Sequence, residues 1–223
     1  MIQKFTREQL TAATSRTKVD SPLPARRSAV NARLQELDEI EASIWSELEQ
    51  SVAVRPRPEP GETDAHHPHE WRVAVLATVD DGQADARSLV LREVDSAERR
   101  LVFYTDARSS KVRQIQQSPQ GTLIFYSRKL GQQLRMQVRL NVETSGLAVS
   151  SRWARLQTSA GARDYLSVAA PGRPLDAPLS ELGVRGHFAM IEAMAETVDW
   201  LELHPDGHRR AVMDTTGSRW VQP

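Results

Sequence analysis

The chain contains no cysteine, which rules out disulfides, thiolate nucleophiles and cysteine-held metals, and suits a reducing compartment. It also has no excess of either charge. Its 29 Lys and Arg balance 29 Asp and Glu, so no global field draws it to nucleic acid or an anionic membrane. No apolar run approaches the roughly 20 residues of a membrane-spanning helix. The first residues, "MIQKFTREQL", lack the apolar stretch of a signal peptide. Aromatic residues make up only 5%, too few to interleave the basic segments as a single-strand-binding surface would need. The expectation is a cytoplasmic protein with no nucleic-acid and no membrane partner.

What is present is a chain of 223 residues, 39% hydrophobic, long enough to bury one large core. Residues 1–28 are polar, carry "SPLPARR", and read as an N-terminal extension to a domain over 29–223. Within 29–50, Val30, Leu34, Leu37, Ile40, Ile44, Trp45 and Leu48 recur at steps of three and four, one face of an amphipathic helix. Prolines and a glycine then break all periodicity, giving a loop over 55–70. That loop holds His66, His67 and His69 with Asp64 and Glu70, but without helical or hairpin spacing to preorganise ligands, so no metal site is expected.

From Trp71 the pattern becomes that of strands. Two β-rich runs flank Asp81-Gly82, a hairpin signal because the tight turn needs positive φ at both central residues. "RLVFYT", "GTLIFYS" and "QLRMQVRLNVE" are further strands, with "SSKVRQIQQSP" a short helix capped by Ser109 or Ser110. In "QLRMQVRLNVE", Leu134, Met136, Val138, Leu140 and Val142 alternate with polar residues, so one face joins a core. "SSRWARLQTSAGARDYLSVA" reads as helical and "PGRPLDAPLS" as a loop. "HFAMIEAMAETVDWLELH" and "HRRAVMD" read as strands joined through "PDG", and "RWVQP" closes the chain. Six or so antiparallel strands with few short helices make a mainly β (α+β) fold, a small barrel rather than a parallel sheet.

Three donor clusters stand out. After the strand "LVFYT" come Arg108, Ser109, Ser110 and Lys111 at a helix start, where unpaired amides already favour an anion. Alone, the stretch is a capped helix with a mild anion preference. Arg87 and Arg92 interrupt the apolar run "ARSLVLRE", and their spacing of five puts them on opposite faces of a strand. Trp200, His208 and Arg210 belong to one hairpin and could converge on a flat heterocycle, although a Trp there is more often core. No nucleophile elbow accompanies His208.

In order, "LATVDDGQADARSLVLRE", "LVFYTDARSSK", "FYSRKLGQQLRMQVRLNV" and "VDWLELHPDGHRRA" resemble the pyridoxamine 5′-phosphate oxidase family, whose fold is an FMN-binding antiparallel split β-barrel. The resemblance implies a homodimer with FMN at the subunit interface. It assigns Arg87, Ser88, Leu89, Val90, Leu91 and Arg92 to the strand lining the flavin, with Tyr104, Thr105, Ser110, Lys111, Gln133, Trp200 and Arg210 as further contacts. Lys111 and Arg87 would hold the phosphate, while His208 and Arg210 would position a substrate. The chain departs from the family at Ser110, where an arginine is usual and only Arg108 is near enough to compensate. It departs again at Gln157, Gly161 and Asp206, where the family's vitamin B6-binding pattern has Arg, Ser and Arg, and Trp153 stands at its Tyr position. The expectation is an FMN-dependent oxidoreductase with a different small substrate. The alternatives are a flavin- or heme-binding protein that carries or senses its ligand, and a barrel that has lost the cofactor and serves as a dimeric interaction module.

Overall fold

Asp81 and Gly82 have φ of 49° and 81°, the tight mirror-image turn that the sequence calls for. They join β1 (Val73–Asp80) to β2 (Gln83–Asp95) in unbroken antiparallel register. The computed structural model describes residues 33–53, 68–175 and 186–223. The extension 1–28, the first residues of the 29–50 helix, His66 and His67, and the latter half of "PGRPLDAPLS" lie outside the described residues.

The remaining strands are β3 (Arg100–Asp106), β4 (Gln120–Ser127), β5 (Gln132–Glu143), β6 (Phe188–Glu202), β7 (Arg209–Asp214) and β8 (Gly217–Val221). All eight form one antiparallel sheet in the order β3-β2-β1-β4-β5-β6-β7-β8, and an extra β3–β6 pairing closes the first six into a ring. The 15-residue β6 makes this possible. Its first half pairs with β3, its second half with β7, and β5 runs along both. A bulge at Glu196, between the register pairs Gln137↔Thr197 and Val138↔Ala195, bends the strand where it changes partner. This is the split barrel, with eight strands where the sequence suggested about six.

The inner faces of the ring carry Leu76, Leu91, Phe103, Phe125, Leu134, Met136 and Val198, all fully buried. Helix α1 (Leu37–Val52) adds Ile40, Ile44, Trp45 and Leu48 to the same core. It begins later than the apolar spacing suggested, and its first turn carries Asp38 and Glu39, which favour the positive end of the helix dipole. Helix α2 (Ser110–Gln117) follows β3 directly. Helix α3 (Leu147–Leu156) starts after Gly146 at φ 98° and stops before a separate 3-10 turn over Ala160–Tyr165. The single helix expected there is interrupted because the hydroxyls of Thr158 and Ser159 bond back to Arg155 and Leu156 carbonyls, ending the run. A second, smaller cluster of Val102, Val149, Tyr165, Phe188 and Met190 packs α3 and this turn against the outer faces of β3 and β6.

Candidate functional site

Strand β3 delivers Thr105 to the foot of α2, and alternation sends Tyr104 the opposite way. Thr105 is buried, and its hydroxyl lies 3.3 Å from that of Ser109 and accepts from Lys111 Nζ at 3.2 Å. Ser109 occupies the N-cap position but makes no side-chain bond to the helix amides, so its hydroxyl faces Thr105 instead. Ser110 is exposed at the first helical position.

Beside Lys111 stands Arg87. It shares a strand face with Leu89 and Leu91 and pairs across the sheet with the buried Leu76. Its Nη1 donates to the Leu76 carbonyl (3.3 Å) and Thr78 Oγ1 (2.6 Å), and its Nη2 to Asp85 Oδ2 (2.6 Å) and Gln114 Oε1 (2.8 Å). Gln114 is 1% exposed and knits the group together. It accepts from Thr78 Oγ1 (2.7 Å) and donates to Asp85 (2.8 Å) and Asp80 (3.2 Å). Arg113 closes the rim with a 2.8 Å bond to Asp80. Burial, and next the Arg87 charge, push the Lys111 ammonium below the usual lysine range. The Gln114 amide, and next Arg87, hold the Asp85 carboxyl below its ordinary value.

A half-buried ammonium is stabilised by an anion, and among the described residues Lys111 makes one hydrogen bond, to a neutral hydroxyl. Together with the Thr105, Ser109 and Ser110 hydroxyls and the first amides of α2, it suits a phosphate. The flavin phosphate expected here therefore fits the donor set.

Arg108 does not replace the cation missing at Ser110. Its Nε and Nη2 bind both oxygens of Asp106 (3.0 and 2.7 Å), and it also donates to the carbonyls of Ser167, Val168 and Ala169. It is a tie between the β3–α2 turn and the chain after the 3-10 turn.

The other candidates divide between the two sides of the sheet. Leu89 and Leu91 place their side chains in the core, while Ser88 and Val90 are exposed on the outer face. Arg92 is the extra residue of a bulge between Leu91↔Phe103 and Glu93↔Val102. Its guanidinium lies 5.6 Å from the centroid of the Tyr104 ring, on the face opposite Arg87 as the spacing predicted. Tyr104 joins the outer cluster, its ring 4.9 Å from Phe188 and its hydroxyl donating to Glu93 Oε1 at 2.9 Å. Burial, and next the Glu93 carboxylate, push that phenol up to about 12. Glu93 in turn takes a two-pronged contact from Arg152 (2.7 and 2.5 Å), which holds its carboxyl below the usual range. Tyr104 and Thr105, adjacent in sequence, thus serve different neighbourhoods.

Gln133 is half-buried on the outer face of β5. Trp200 is 2% exposed and belongs to the core, with the Arg209 guanidinium 5.5 Å from its ring centroid and Trp220 at 6.3 Å. The convergence expected of Trp200, His208 and Arg210 does not occur. The register Trp200↔Ala211 and Leu201↔Arg210 turns Arg210 to the face away from Trp200. There Arg210 binds both oxygens of Asp199 (2.9 and 2.7 Å), which Arg135 also contacts. The two guanidiniums outweigh burial and keep the Asp199 carboxyl low. His208 is exposed on the β6–β7 turn, its Nδ1 accepting from the His204 amide at 3.2 Å. At the positions where the sequence departs from the vitamin B6 pattern, Trp153 packs against Phe188, while Gln157 and Asp206 are exposed. His69 caps Trp71 and contacts Glu47 at 2.8 Å; among the described residues no cluster could hold a metal.

Sequence reasoning missed Thr78, Asp85 and Gln114. Two signals were available. Asp85 lies two residues from Arg87, hence on its side of the strand, and Gln114 lies one helical turn past Lys111.

Residues 59–144 match the family described as pyridoxamine 5′-phosphate oxidase, FMN-binding domain. A pyridoxine/pyridoxamine 5′-phosphate oxidase of Caulobacter vibrioides is 25% identical over 174 residues, covering 72% of this chain and 78% of the relative. One from Azorhizobium caulinodans is 36% identical over 76 residues, 34% of this chain and 35% of its own. Among solved structures, a pyridoxamine 5′-phosphate oxidase-related, FMN-binding protein of Nostoc punctiforme superposes with a TM-score of 0.53 at 27% identity, covering 68% of this chain and 87% of that one. PhzG of Burkholderia lata, solved with tetrahydrophenazine-1-carboxylic acid, shares the fold with a TM-score of 0.57 at 17% identity, covering 69% and 83%. The ring of six strands split at β6, the half-buried Lys111 beside Arg87 and the match over residues 59–144 make the chain similar, at low identity, to the pyridoxamine 5′-phosphate oxidase-like FMN-binding split barrels.

Proposed function

We propose that this protein is an FMN-dependent oxidoreductase of the cytoplasm, working as a homodimer with the flavin between subunits. The observation that carries the reading is the half-buried Lys111 ammonium, beside Arg87 and three hydroxyls at the start of α2, inside the stretch that matches the family. When bound, FMN supplies the redox chemistry through its ring. The chain's own residues bind, orient and shield. Lys111, Thr105 and Ser109 hold the phosphate end, and the outer face of β2, with Ser88 and Val90, lies along the ring.

The dimer is supported by geometry within one subunit. Gln133 and Arg210 share the outer face with Ser88 and Val90, apart from the inward Arg87, and are placed to serve the flavin of a second copy. Val73, Val75, Val90 and Tyr126 are 38–52% exposed on that outer face. The pairs Tyr126↔Gln133, Gln133↔Leu201 and Leu201↔Arg210 continue the row. An apolar surface rimmed by Gln133 and Arg210 is what a second copy would cover, delivering those two residues to its neighbour's flavin. His208 and Arg210 would then position the substrate. Gln157, Gly161 and Asp206 supply no cation for a substrate phosphate, so pyridoxine 5′-phosphate should be turned over poorly.

The test is the visible spectrum of the purified protein with its mass by light scattering, for the wild type and Val90→Asp. A flavin spectrum on a dimer, reduced by NAD(P)H and reoxidised with turnover of an added substrate, is expected; V90D should yield monomers with weakened flavin. Flavin that is bound but never turned over would leave a carrier or sensor. A colourless protein that takes up no added FMN would sink the flavin reading.

A further inference from the structure

Asp85 belongs to no anion-binding scheme, since a carboxylate beside Lys111 and Arg87 repels the phosphate those cations would attract. Yet it is built in. Its Oδ2 accepts from Arg87 at 2.6 Å and from Gln114 at 2.8 Å, and the same Gln114 orients Thr78 against Arg87. With both Arg87 nitrogens donating twice within the protein, no Nη group is left for an incoming phosphate until one partner moves. The Leu76 carbonyl is fixed in the β1–β2 ladder, and Thr78 and Gln114 are buried. Asp85 alone is mobile in this sense: its side chain is 44% exposed, against 18% for Arg87.

We propose that Asp85 is an internal stand-in for the cofactor phosphate, which pairs with Arg87 in the empty protein and yields that place when a phosphorylated flavin binds. The proposal rests on the flavin reading above and deepens it. With the stand-in in place the Arg87 charge is already compensated, so the cradle stays folded while empty. The cost appears on binding. A phosphate must displace one carboxylate and then sit near it, with Lys111 as the one cation not already paired in the cradle and Ser110 where another cation would help. The balance sets how strongly the protein prefers FMN over riboflavin, which presents a neutral hydroxyl at the same end. Asp85 is therefore a specificity-determining residue that holds this discrimination down and keeps the cofactor exchangeable.

The experiment measures the dissociation constants of FMN and riboflavin by flavin fluorescence, and the melting temperature of the flavin-free protein, for wild type, Asp85→Asn and Asp85→Glu. Asn keeps the hydrogen-bonding shape without the charge, and Glu keeps the charge. D85N should bind FMN about tenfold or more tightly, as expected for removing one charge near a dianion, with riboflavin unchanged. Its flavin-free form should melt lower than wild type, and D85E should stay within about threefold of wild type for FMN. Unchanged or weaker FMN binding in D85N would overturn the proposal, because a carboxylate that merely orients Arg87 would be missed rather than relieved. Equal tightening of FMN and riboflavin would overturn it too, by placing the effect away from the phosphate. Riboflavin and FMN both failing to bind any of the three proteins would remove the flavin reading itself, and this inference with it.

Discussion

Replacing Lys111 with methionine keeps the length and apolar stem of the side chain and removes the charge. In the flavin-free protein the change should cost nothing and could relieve strain, because the ammonium is half-buried, faces the Arg87 charge and has only the Thr105 hydroxyl as a bonded partner. The cofactor complex should suffer instead. A hydrogen bond to a charged group contributes about 1.5–3 kcal/mol, so FMN should bind about 10- to 150-fold more weakly while riboflavin is affected little. A pH series adds an independent signature. Burial and Arg87 lower the Lys111 pKa in the empty cradle, and a bound phosphate raises it again, so binding takes up a proton in the window between those two values. Wild-type FMN affinity should therefore fall as pH rises through that alkaline window, and the fall should vanish in K111M. The folding sign is the reverse. A folded-state pKa below the unfolded one penalises the fold at lower pH, and the penalty fades as pH rises from the folded toward the unfolded value. Fluorescence titration of FMN and riboflavin between neutral and alkaline pH measures both quantities. FMN affinity within threefold of wild type in K111M, or an unaltered pH profile, would refute the assignment of Lys111 to the phosphate.

Other outcomes follow from the pairs away from the cradle. Glu93→Gln should lower stability by about 1–3 kcal/mol, since it strips the two-pronged partner from Arg152. Because the folded-state Glu93 pKa is depressed, that contribution is present above its unfolded pKa and disappears as pH falls through the folded one, so mutant and wild type should converge in acid. The same variant should bring the Tyr104 phenol down from about 12, read as phenolate absorbance during an alkaline titration; an unmoved phenol would mean that burial alone sets it. Arg108→Ala should speed hydrogen exchange around Ala107 and residues 167–169 while leaving FMN affinity within about threefold, because its partners are Asp106 and three carbonyls. A tenfold loss of FMN would place Arg108 at the phosphate after all.

Much of this fold was legible because local chemistry and tertiary packing agree. Asp81-Gly82 dictated the first hairpin, and the alternation from Leu134 to Leu140 dictated which side of β5 is buried. The eighth strand and the Glu196 bulge were not legible, since a partner change along one continuous apolar strand leaves no mark in its composition. In the site, Lys111 and Thr105 were readable from their place after β3. Trp200 was not, because sequence alone cannot tell an aromatic that walls a ligand from one sealed between Arg209 and Trp220. Arg108 could not be judged for the same reason: its fate is decided by Asp106 two residues away and by carbonyls some sixty residues on. Charge identity shows in a sequence; which charges are already spoken for does not.

The cradle also has a place in time. Thr78, Asp85, Arg87, Thr105, Lys111 and Gln114 all come from one continuous piece of chain, built from a tight hairpin, the next strand and the helix after it. Ring closure is different, for it needs Arg100 to find Met194 and β3 to zip along β6. Loop entropy makes such distant pairings slow, whereas a two-residue hairpin is quick. The residues proposed to hold the phosphate are thus gathered on a segment that can organise before the barrel shuts, and pulse-labelled hydrogen exchange should protect β1 and β2 ahead of β6. A flavin phosphate captured at that stage would meet its site on an unfinished protein, and the cofactor would help to select the chain's route to the native state as well as its final form.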